Sequence, residues 1–157
     1  MKKILLIDID DTLYKHETPP IFLDYNNITE DMVLTNALNN IKYPKYIYTN
    51  AKFNHANIIL NQMNLSDGVF LKIYSRDTIP SMKPLINSAF AVQRDIRKNS
   101  GNGQIIFFDD MLPNLLTAKK LGWTTIWIHP YYKQKNKYDY VDFAYSDFKK
   151  ALLDNEF

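Results

Sequence analysis

Residues 4–13 read ILLIDIDDTL, an apolar run that passes directly into three carboxylates. The apolar residues 4–7 have the composition of a buried strand, and Asp8 and Asp10 follow where that strand would end. In an open α/β sheet, ligands collect at the carboxyl ends of parallel strands, so acids there face a crevice and not the core. The stretch therefore predicts an α/β fold with a site for chemistry at one edge of its sheet.

Two later strands and one helix start repeat this pattern. Residues 46–48 and 105–108 are apolar and end in polar side chains, while residues 81–84 (SMKP) predict a helix that has the proline in its first turn. The polar residues at these three places are Thr49, Asn50, Lys83, Asp109 and Asp110. Because parallel strands end at the same edge of a sheet, we expect these side chains to form one pocket.

These residue types suit the chemistry of a phosphate ester. A phosphate monoester carries about two negative charges at neutral pH, which a bare carboxylate would repel. Asp8, Asp109 and Asp110 could hold a hard divalent cation, since Mg²⁺ binds through one or two carboxylates together with substrate phosphate and water. Lys83 adds a positive charge and Thr49 a hydroxyl donor for the phosphoryl oxygens. A carboxylate could then attack phosphorus.

The order of these polar residues resembles that of a known family. Residues 8–12 form Asp-x-Asp-x-Thr, and a Thr, a Lys and an Asp-Asp pair follow, as in the four motifs of the haloacid dehalogenase superfamily of phosphoryl-transfer enzymes. The resemblance implies a three-layer, Rossmann-like α/β domain with a central parallel sheet and helices on both faces. It also implies that Asp8 is the nucleophile, which forms an aspartyl-phosphate, and that Asp10 protonates the leaving alcohol and then activates water.

The same resemblance assigns the remaining site residues. The implied catalytic residues are Asp8, Asp10, Thr49 and Lys83. The implied substrate contacts are Thr12, which also steadies the turn, Asn50 and Lys83. The implied Mg²⁺ ligands are Asp8, the backbone carbonyl of Asp10, Asp109 and Asp110. Asp11 fills the variable position of the first motif, and a solvated or turn-capping role is favoured for it. The next four residues, at positions 14–17, lie near enough to touch substrate.

Response-regulator receiver domains are the main alternative among known folds. They also place an acidic pair after their first strand, and they use a phosphorylated Asp, a Thr and a Lys on later strands. In a receiver, the Asp that accepts the phosphate precedes the Thr and the Lys. Here Asp109 and Asp110 follow both, so the order of the motifs disfavours a receiver domain.

A narrower resemblance covers most of residues 4–12 and 46–128. Tyr14 after the first motif, His55 in the predicted second helix and Phe-Phe-Asp-Asp at residues 107–110 are similar to the pyrimidine 5′-nucleotidase branch. That branch implies Mg²⁺-dependent removal of phosphate from a nucleoside monophosphate or a similar small phosphate ester. A packing or helix-terminal role is favoured for His55, because the carboxylates already supply acid, base and nucleophile.

The segment 14–45 departs from that branch, which usually inserts a helical cap there. About thirty residues are too few for a full cap, so the chain is closer in size to the capless magnesium-dependent phosphatase-1 type. Residues 28–40 predict one amphipathic helix with Thr29 as its cap, and an ordinary crossover helix is favoured over a vestigial cap or a dimer contact. Because a cap excludes water and reads the leaving group, a reduced cap should widen the site.

Two other functions stay open. A capless site also suits a phosphatase acting on a macromolecule, either a 3′-phosphorylated nucleic acid or a phosphoprotein. Residues 131–138 (YYKQKNKY) interleave aromatic and basic side chains, a mixture that can bind single strands, but a solvated loop is favoured because the chain has no strong basic bias. A phosphate-sensing or scaffold module without turnover is the non-catalytic alternative, and the presence of every motif residue argues against it.

Length and composition fit one small domain. The chain has 157 residues, no cysteine and a formal net charge of +2, which excludes disulfides and makes no case for a polyanion partner. No apolar run approaches the ~20 residues that span a bilayer, and no signal-like segment precedes the first strand. We therefore expect one cytoplasmic domain over residues 1–157, with a small phosphorylated substrate and no membrane association; a homodimer stays open.

Apolar periodicity and turn signals predict the remaining elements. Helices are expected at residues 52–64, from Pro84 through Ile96, at 113–121 with Gly122 as its cap, and after Ser146. Strands are expected at residues 69–74, after a turn at Asp67 and Gly68, and at 124–128. This alternation of strands and helices predicts a parallel sheet with helices on both faces.

Overall fold

A computed structural model describes residues 1–16, 25–66 and 68–157 of the chain. The strands in these ranges are β1 (Lys3–Ile7), β2 (Lys45–Tyr48), β3 (Lys72–Tyr74), β4 (Gln104–Asp109), β5 (Thr124–Ile128) and β6 (Phe143–Tyr145). The α-helices are α1 (Met32–Asn40), α2 (Phe53–Gln62), α3 (Ile86–Ser100), α4 (Leu112–Lys120) and α5 (Phe148–Asp154). Two short 3-10 segments lie at Tyr25–Asn27 and Tyr132–Lys137.

The strands form a single parallel sheet in the order β3-β2-β1-β4-β5-β6. β1 lies in the interior of this sheet, hydrogen-bonded to β2 on one side and to β4 on the other. Ile7 pairs with Phe108, so Asp8 and Asp109 follow side by side at the carboxyl edge. The register alone therefore brings the first and last acidic motifs together.

Helices cover both faces of the sheet, as the alternation of elements predicted. Leu5 and Ile7 point to one face, where they share a core with buried residues of α1, α2 and α5. Ile4 and Leu6 point to the other face and pack with buried residues of α3 and α4. Fully burying one such side chain stabilises the fold by about 1.5–3 kcal/mol, so packing on both faces of the sheet holds β1 in place. The three-layer α/β architecture is confirmed.

The helix between β1 and β2 is a crossover helix. Leu34 and Leu38 lie one turn apart on α1 and are buried in the same core as residues of α5. The predicted cap at Thr29 is wrong: Asp31 caps α1, and its carboxylate accepts hydrogen bonds from the backbone N–H groups of Val33 and Leu34 at 3.0 and 3.1 Å. The part of the expected reduced cap at residues 17–24 lies outside the described residues.

Several elements differ from the prediction, among them α1, which begins at Met32 and not at residue 28. α3 begins at Ile86, two residues beyond Pro84, because Leu85 has an extended backbone and forms the N-cap. β3 is limited to Lys72–Tyr74 and not 69–74, and its pairing with β2 begins with Lys72 opposite Tyr46. β6 was not expected at all, since three residues at a sheet edge carry almost no periodic signal. The turn predicted at Asp67 lies outside the described residues.

The end of α4 matches its prediction within one residue. Gly122 has a φ of 77°, which a residue without a side chain adopts easily. Its N–H donates to the carbonyl of Lys119, and the N–H of Trp123 donates to the carbonyl of Ala118. This pair of bonds is the Schellman arrangement expected of a glycine C-cap.

The described helices include none that is both long enough and apolar enough to cross a membrane.

Candidate active site

Three carboxylates meet at the carboxyl edge of the sheet. Asp8 follows β1, Asp109 ends β4 and Asp110 comes next, and each offers an oxygen within 4.8 Å of the others. Asp8 and Asp109 are buried, whereas Asp110 is partly exposed. The structure therefore brings together the three side chains that the sequence proposed as metal ligands.

Lys83 bridges two of these acids. Its Nζ donates to Oδ1 of Asp8 at 2.8 Å, to Oδ2 of Asp109 at 2.7 Å and to the carbonyl of Tyr48 at 2.8 Å. The aromatic rings of Tyr48 and Phe107 also lie 5.0 and 5.5 Å from the ammonium. A buried ammonium with two carboxylate partners is fixed in position, as electrostatic stabilisation of a reacting group requires.

Asn50 holds the backbone of Lys83. Its Nδ2 donates to the carbonyl of Lys83 at 3.0 Å, and its Oδ1 accepts the N–H of Lys83 at 2.9 Å. The side chain that the sequence assigned to substrate is thus engaged in positioning the lysine, although it also lines the cavity above the acids. Its contact with substrate stays a prediction.

Asp109 is oriented by groups at the start of α4. Asn114 donates through Nδ2 to both carboxylate oxygens, at 3.0 and 3.1 Å, and the N–H of Met111 donates to Oδ1 at 2.8 Å. The carbonyl of Asp110 accepts the indole N–H of Trp127 at 2.9 Å. Asn114 was not among the predicted site residues.

The electrostatics of the cluster show an excess of negative charge. Burial raises the pKa of Asp8 well above its ordinary value against the opposing effect of Lys83, and the charge of Asp109 adds to the rise. Burial and Asp109 also raise the pKa of Asp110 to about 6. Burial lowers the pKa of Lys83, but Asp109 and Asp8 outweigh it, so this pKa lies above the usual range and the ammonium stays charged.

A hard divalent cation fits this site. Three carboxylates face one ammonium, and their oxygens are ligands that Mg²⁺ prefers. Burial is the main cause of the raised pKa values of Asp8 and Asp110, with a smaller effect of the Asp109 charge, and a bound cation would favour the ionised carboxylates.

Asp10 is held by three donors outside the acidic cluster. Its Oδ1 accepts from the hydroxyl of Tyr14 at 2.8 Å, and the Nε2 atoms of His16 and His55 lie 3.0 Å away. Burial raises the pKa of Asp10, but the hydrogen bonds from His55 and Tyr14 outweigh it and leave the pKa below its ordinary value. Oδ1 thus has three hydrogen-bonding contacts. Oδ2 has one among the described residues, with Nε2 of His55 at 3.2 Å, and is the less occupied oxygen.

His55 has a role that the sequence interpretation did not favour. It lies in the first turn of α2, and its Nδ1 is 2.8 Å from the hydroxyl of Tyr25. The imidazole therefore connects the 3-10 segment at Tyr25–Asn27 to Asp10 and does not merely pack. The sequence contains a signal for this contact. Because α2 starts at the carboxyl edge of the sheet, a polar side chain in its first turn lies near the acids.

The remaining motif residues shape the loop after β1. Thr12 is buried, and its hydroxyl lies 3.3 Å from Asp8 and 3.4 Å from Asp110. Asp11 has a φ of 59° and accepts the N–H of His16 at 3.0 Å, so the turn-capping role expected for it is confirmed. Thr49 is buried, lines the cavity and accepts the N–H of Ala51 at 3.0 Å.

No known protein-family profile matches the chain, and no curated protein is similar to it in sequence. Solved structures do share its fold. A haloacid dehalogenase-like hydrolase from Streptococcus pneumoniae has a TM-score of 0.57 at 17% identity, over 79% of this chain and 57% of its own. A predicted phosphoglycolate phosphatase from Haemophilus somnus has a TM-score of 0.61 at 19% identity, over 78% and 55%.

The L-2-haloacid dehalogenase from Xanthobacter autotrophicus is also similar, with a TM-score of 0.61 at 14% identity, over 82% of this chain and 62% of its own. The chain thus matches between 55% and 62% of the length of these three proteins. At this level of identity the similarity defines a haloacid dehalogenase-like fold.

Proposed function

We propose that this chain is a Mg²⁺-dependent phosphomonoester hydrolase of the haloacid dehalogenase superfamily, which acts through an aspartyl-phosphate. One observation carries the proposal: a buried lysine bridges Asp8 and Asp109, while Asp10, two residues after Asp8, is held separately by hydrogen-bond donors. Two carboxylates in such different surroundings suit two roles, a nucleophile and an acid–base group. Hydrolase neighbours with the same fold support this class.

The metal would be held by Asp8, Asp109, Asp110 and the carbonyl of Asp10. It would supply positive charge to the phosphoryl oxygens, which the acids alone would repel. Lys83 and Thr49 would contact the same oxygens from the floor of a cavity of about 200 Å³.

The reaction follows from the remaining residues. A carboxylate oxygen of Asp8 bonds to phosphorus as the bond to the leaving oxygen breaks. Asp10, whose lowered pKa leaves it ionised at rest, first takes up a proton from solvent and then gives it to the leaving oxygen. Asp10 then takes a proton from a water molecule, whose oxygen attacks phosphorus and releases Asp8 and inorganic phosphate. Oδ2 of Asp10, which is less occupied than Oδ1, is the oxygen suited to both proton transfers.

The substrate is proposed to be a small phosphate ester, of which a nucleoside monophosphate is one type. The same proposal includes membership of the pyrimidine 5′-nucleotidase branch and a cytoplasmic location. It also includes a minimal cap and a single domain over residues 1–157. A macromolecular phosphate ester and a non-catalytic phosphate sensor are the alternatives. A homodimer and a nucleic-acid partner also remain as proposals.

The test is phosphate release from nucleoside monophosphates, sugar phosphates, an aryl phosphate, a phosphopeptide and a 3′-phosphorylated oligonucleotide, with Mg²⁺ or excess chelator. We expect release that needs metal and is abolished by Asp8→Asn. Asp11→Asn is the matched control, because an asparagine tolerates the left-handed backbone there and can still accept the N–H of His16. Phosphate binding without release favours the sensor, and chloride release from 2-chloropropionate without phosphate release would contradict the proposal.

A further inference from the structure

A second cavity, of about 250 Å³, adjoins the catalytic one. Asp11 and Asp110 line both cavities, so the two are neighbours across these side chains. The described residues that line only the second cavity are Lys15, His16, Ile128, His129 and Pro130. Because β5 and β2 lie on opposite sides of β1, this cavity extends away from Thr49 and Asn50.

His129 lines this cavity and carries a ring N–H donor. Its ring is stacked on Trp127, with centroids 4.8 Å apart and planes 12° apart, which fixes its orientation. Its Nδ1 lies 3.1 Å from the N–H of Tyr131 and accepts that hydrogen, so the ring hydrogen of the neutral imidazole is on Nε2. Burial and the charge of Lys15 lower the pKa of His129, in agreement with a neutral ring that donates through Nε2.

Lys15 supplies a positive charge that no described carboxylate neutralises. Its Nζ donates to the carbonyl of Ser146, which ties the loop after β1 to the start of α5. Every ion pair found in residues 1–16, 25–66 and 68–157 involves other cations. Of its three donors, the ammonium uses only one in this contact, and the others can bind a ligand.

The two acids of the second cavity lie on the wall that it shares with the catalytic one. Asp11 already accepts the N–H of His16, and Asp110 belongs to the cluster proposed to hold the metal. The negative charge is therefore on the catalytic side, and the donors are Lys15, His16 and His129.

The position of Asp10 places the leaving group near this cavity. Proton transfer requires the leaving oxygen to lie beside Asp10. His16 lies 3.0 Å from Oδ1 of Asp10, the neighbour of the oxygen proposed for proton transfer, and also forms part of the second cavity's wall. Atoms attached to the leaving oxygen therefore come close to His16, and beyond it to Lys15 and His129.

We infer that the second cavity binds an anionic group on the leaving portion of the substrate, a carboxylate or a second phosphate, through Lys15 and His129. This inference rests on the proposed function and narrows it to small phosphate esters that carry a second anionic group on the leaving portion. A nucleoside offers no such group and would place no anion beside Lys15.

Binding of phosphonates, whose carbon–phosphorus bond is not an ester, tests the cavity without turnover. The probes are 2-carboxyethylphosphonate, propane-1,3-bisphosphonate and the matched propylphosphonate, titrated by calorimetry into the native protein with Mg²⁺. We expect at least one of the two probes with a second anionic group to bind about tenfold more tightly than propylphosphonate, because charge-assisted hydrogen bonds are the strong ones. Which of the two binds better distinguishes a carboxylate from a phosphate.

Lys15→Met should abolish this preference while leaving the affinity for propylphosphonate unchanged. Lys52→Met is the matched control, since Lys52 is an exposed lysine beside the first turn of α2, on the opposite side of the catalytic cavity. Equal affinities for the three probes in the native protein, or a preference that survives Lys15→Met, would overturn the inference. Hydrolysis of the corresponding phosphate esters is measured separately, so a preference without hydrolysis would contradict only the proposed function.

Discussion

His55 Nε2 lies 3.0 Å from Oδ1 and 3.2 Å from Oδ2 of Asp10. The other ring nitrogen is 2.8 Å from the hydroxyl of Tyr25, so the imidazole is fixed at both ends. The Asp10 carboxylate, proposed as acid and base, is therefore oriented by a side chain from another element, α2. We interpret His55 as a positioning residue, because its contact with the reaction passes through Asp10.

Replacing His55 should lower kcat more than it changes KM. We expect His55→Leu to reduce kcat by about 10–100-fold, since small displacements of a catalytic group have effects of this size. His55→Gln should restore part of the loss, because its amide N–H can donate to Asp10 in place of Nε2. Steady-state kinetics on the best substrate, with circular dichroism to check folding, measures both.

Asn54→Leu is the control for this comparison, since Asn54 is the exposed neighbour of His55 on α2. It should leave kcat unchanged. Equal kcat values for His55→Leu and His55→Gln, or a loss confined to KM, would contradict the positioning role.

Lys83 should contribute strongly to stability as well as to activity. It is buried between Asp8 and Asp109, so Lys83→Met leaves both carboxylates without their cation. Breaking a buried ion pair in this way costs about 3–5 kcal/mol of unfolding free energy. Denaturant unfolding in the presence of chelator measures the loss without interference from a metal.

Lys72→Met provides the matched comparison. Lys72 lies 2.8 Å from Asp95, but half of its side chain is exposed, and such surface pairs contribute about 0–1 kcal/mol. Similar losses for the two variants would show that the buried position of Lys83 does not matter. That result would contradict the account of the acidic cluster given above.

The acidic cluster could be predicted from sequence because it depends on one simple relationship. Strands β1 and β4 are neighbours in a parallel sheet, so residues that follow them, Asp8 and Asp109, must meet at the carboxyl edge. Apolar runs and polar ends mark such strands directly. The three-layer fold follows from the same alternation of strands and helices.

The surroundings of Asp10 could not be predicted in the same way. They depend on how α2 approaches the 3-10 segment at Tyr25–Asn27, which is a packing relationship between separate parts of the chain. The start of α1 could not be predicted for a different reason. Thr29 and Asp31 are both favourable N-cap residues, and the sequence does not decide between them.

Replacing Asp110 should stabilise the metal-free protein and reduce the stabilisation that Mg²⁺ provides. In the metal-free protein, Asp110→Asn should raise Tm, because burial and Asp109 disfavour its charged form, as its raised pKa of about 6 shows. With Mg²⁺ at about 100-fold above Kd, the native protein gains about 2.7 kcal/mol, and this gain should be much smaller in Asp110→Asn. Thermal unfolding with chelator and with Mg²⁺ measures both effects, and Asp11→Asn should behave like the native protein. A lower metal-free Tm for Asp110→Asn, or an undiminished gain with Mg²⁺, would contradict the assignment of Asp110 to the metal site.

Asp142 gives a pH-dependent prediction away from the active site. Its carboxylate accepts the N–H of Thr125 at 2.9 Å and pairs with Lys119, so it connects β5 to the segment before β6 and to α4. Burial raises the pKa of Asp142, but the hydrogen bonds from Lys119 and Thr125 outweigh it and leave the pKa below its ordinary value. A carboxyl group with a lowered pKa stabilises the fold fully above its unfolded value, about 3.9, and loses that contribution as pH falls through the folded pKa.

Asp142→Asn should therefore lower the unfolding free energy by about 1–2 kcal/mol between pH 5 and 7, because hydrogen bonds to a charged group are lost. The difference from the native protein should shrink as pH falls below about 4, where Asp142 itself becomes protonated. Urea unfolding at pH 3, 5 and 7 measures this trend. Asp154→Asn is the control, since Asp154 has an exposed pair with Lys150 at 3.3 Å and should change stability by about 0.5 kcal/mol or less. A deficit in Asp142→Asn that stays constant down to pH 3 would mean that packing, and not the carboxylate charge, is what Asp142 contributes.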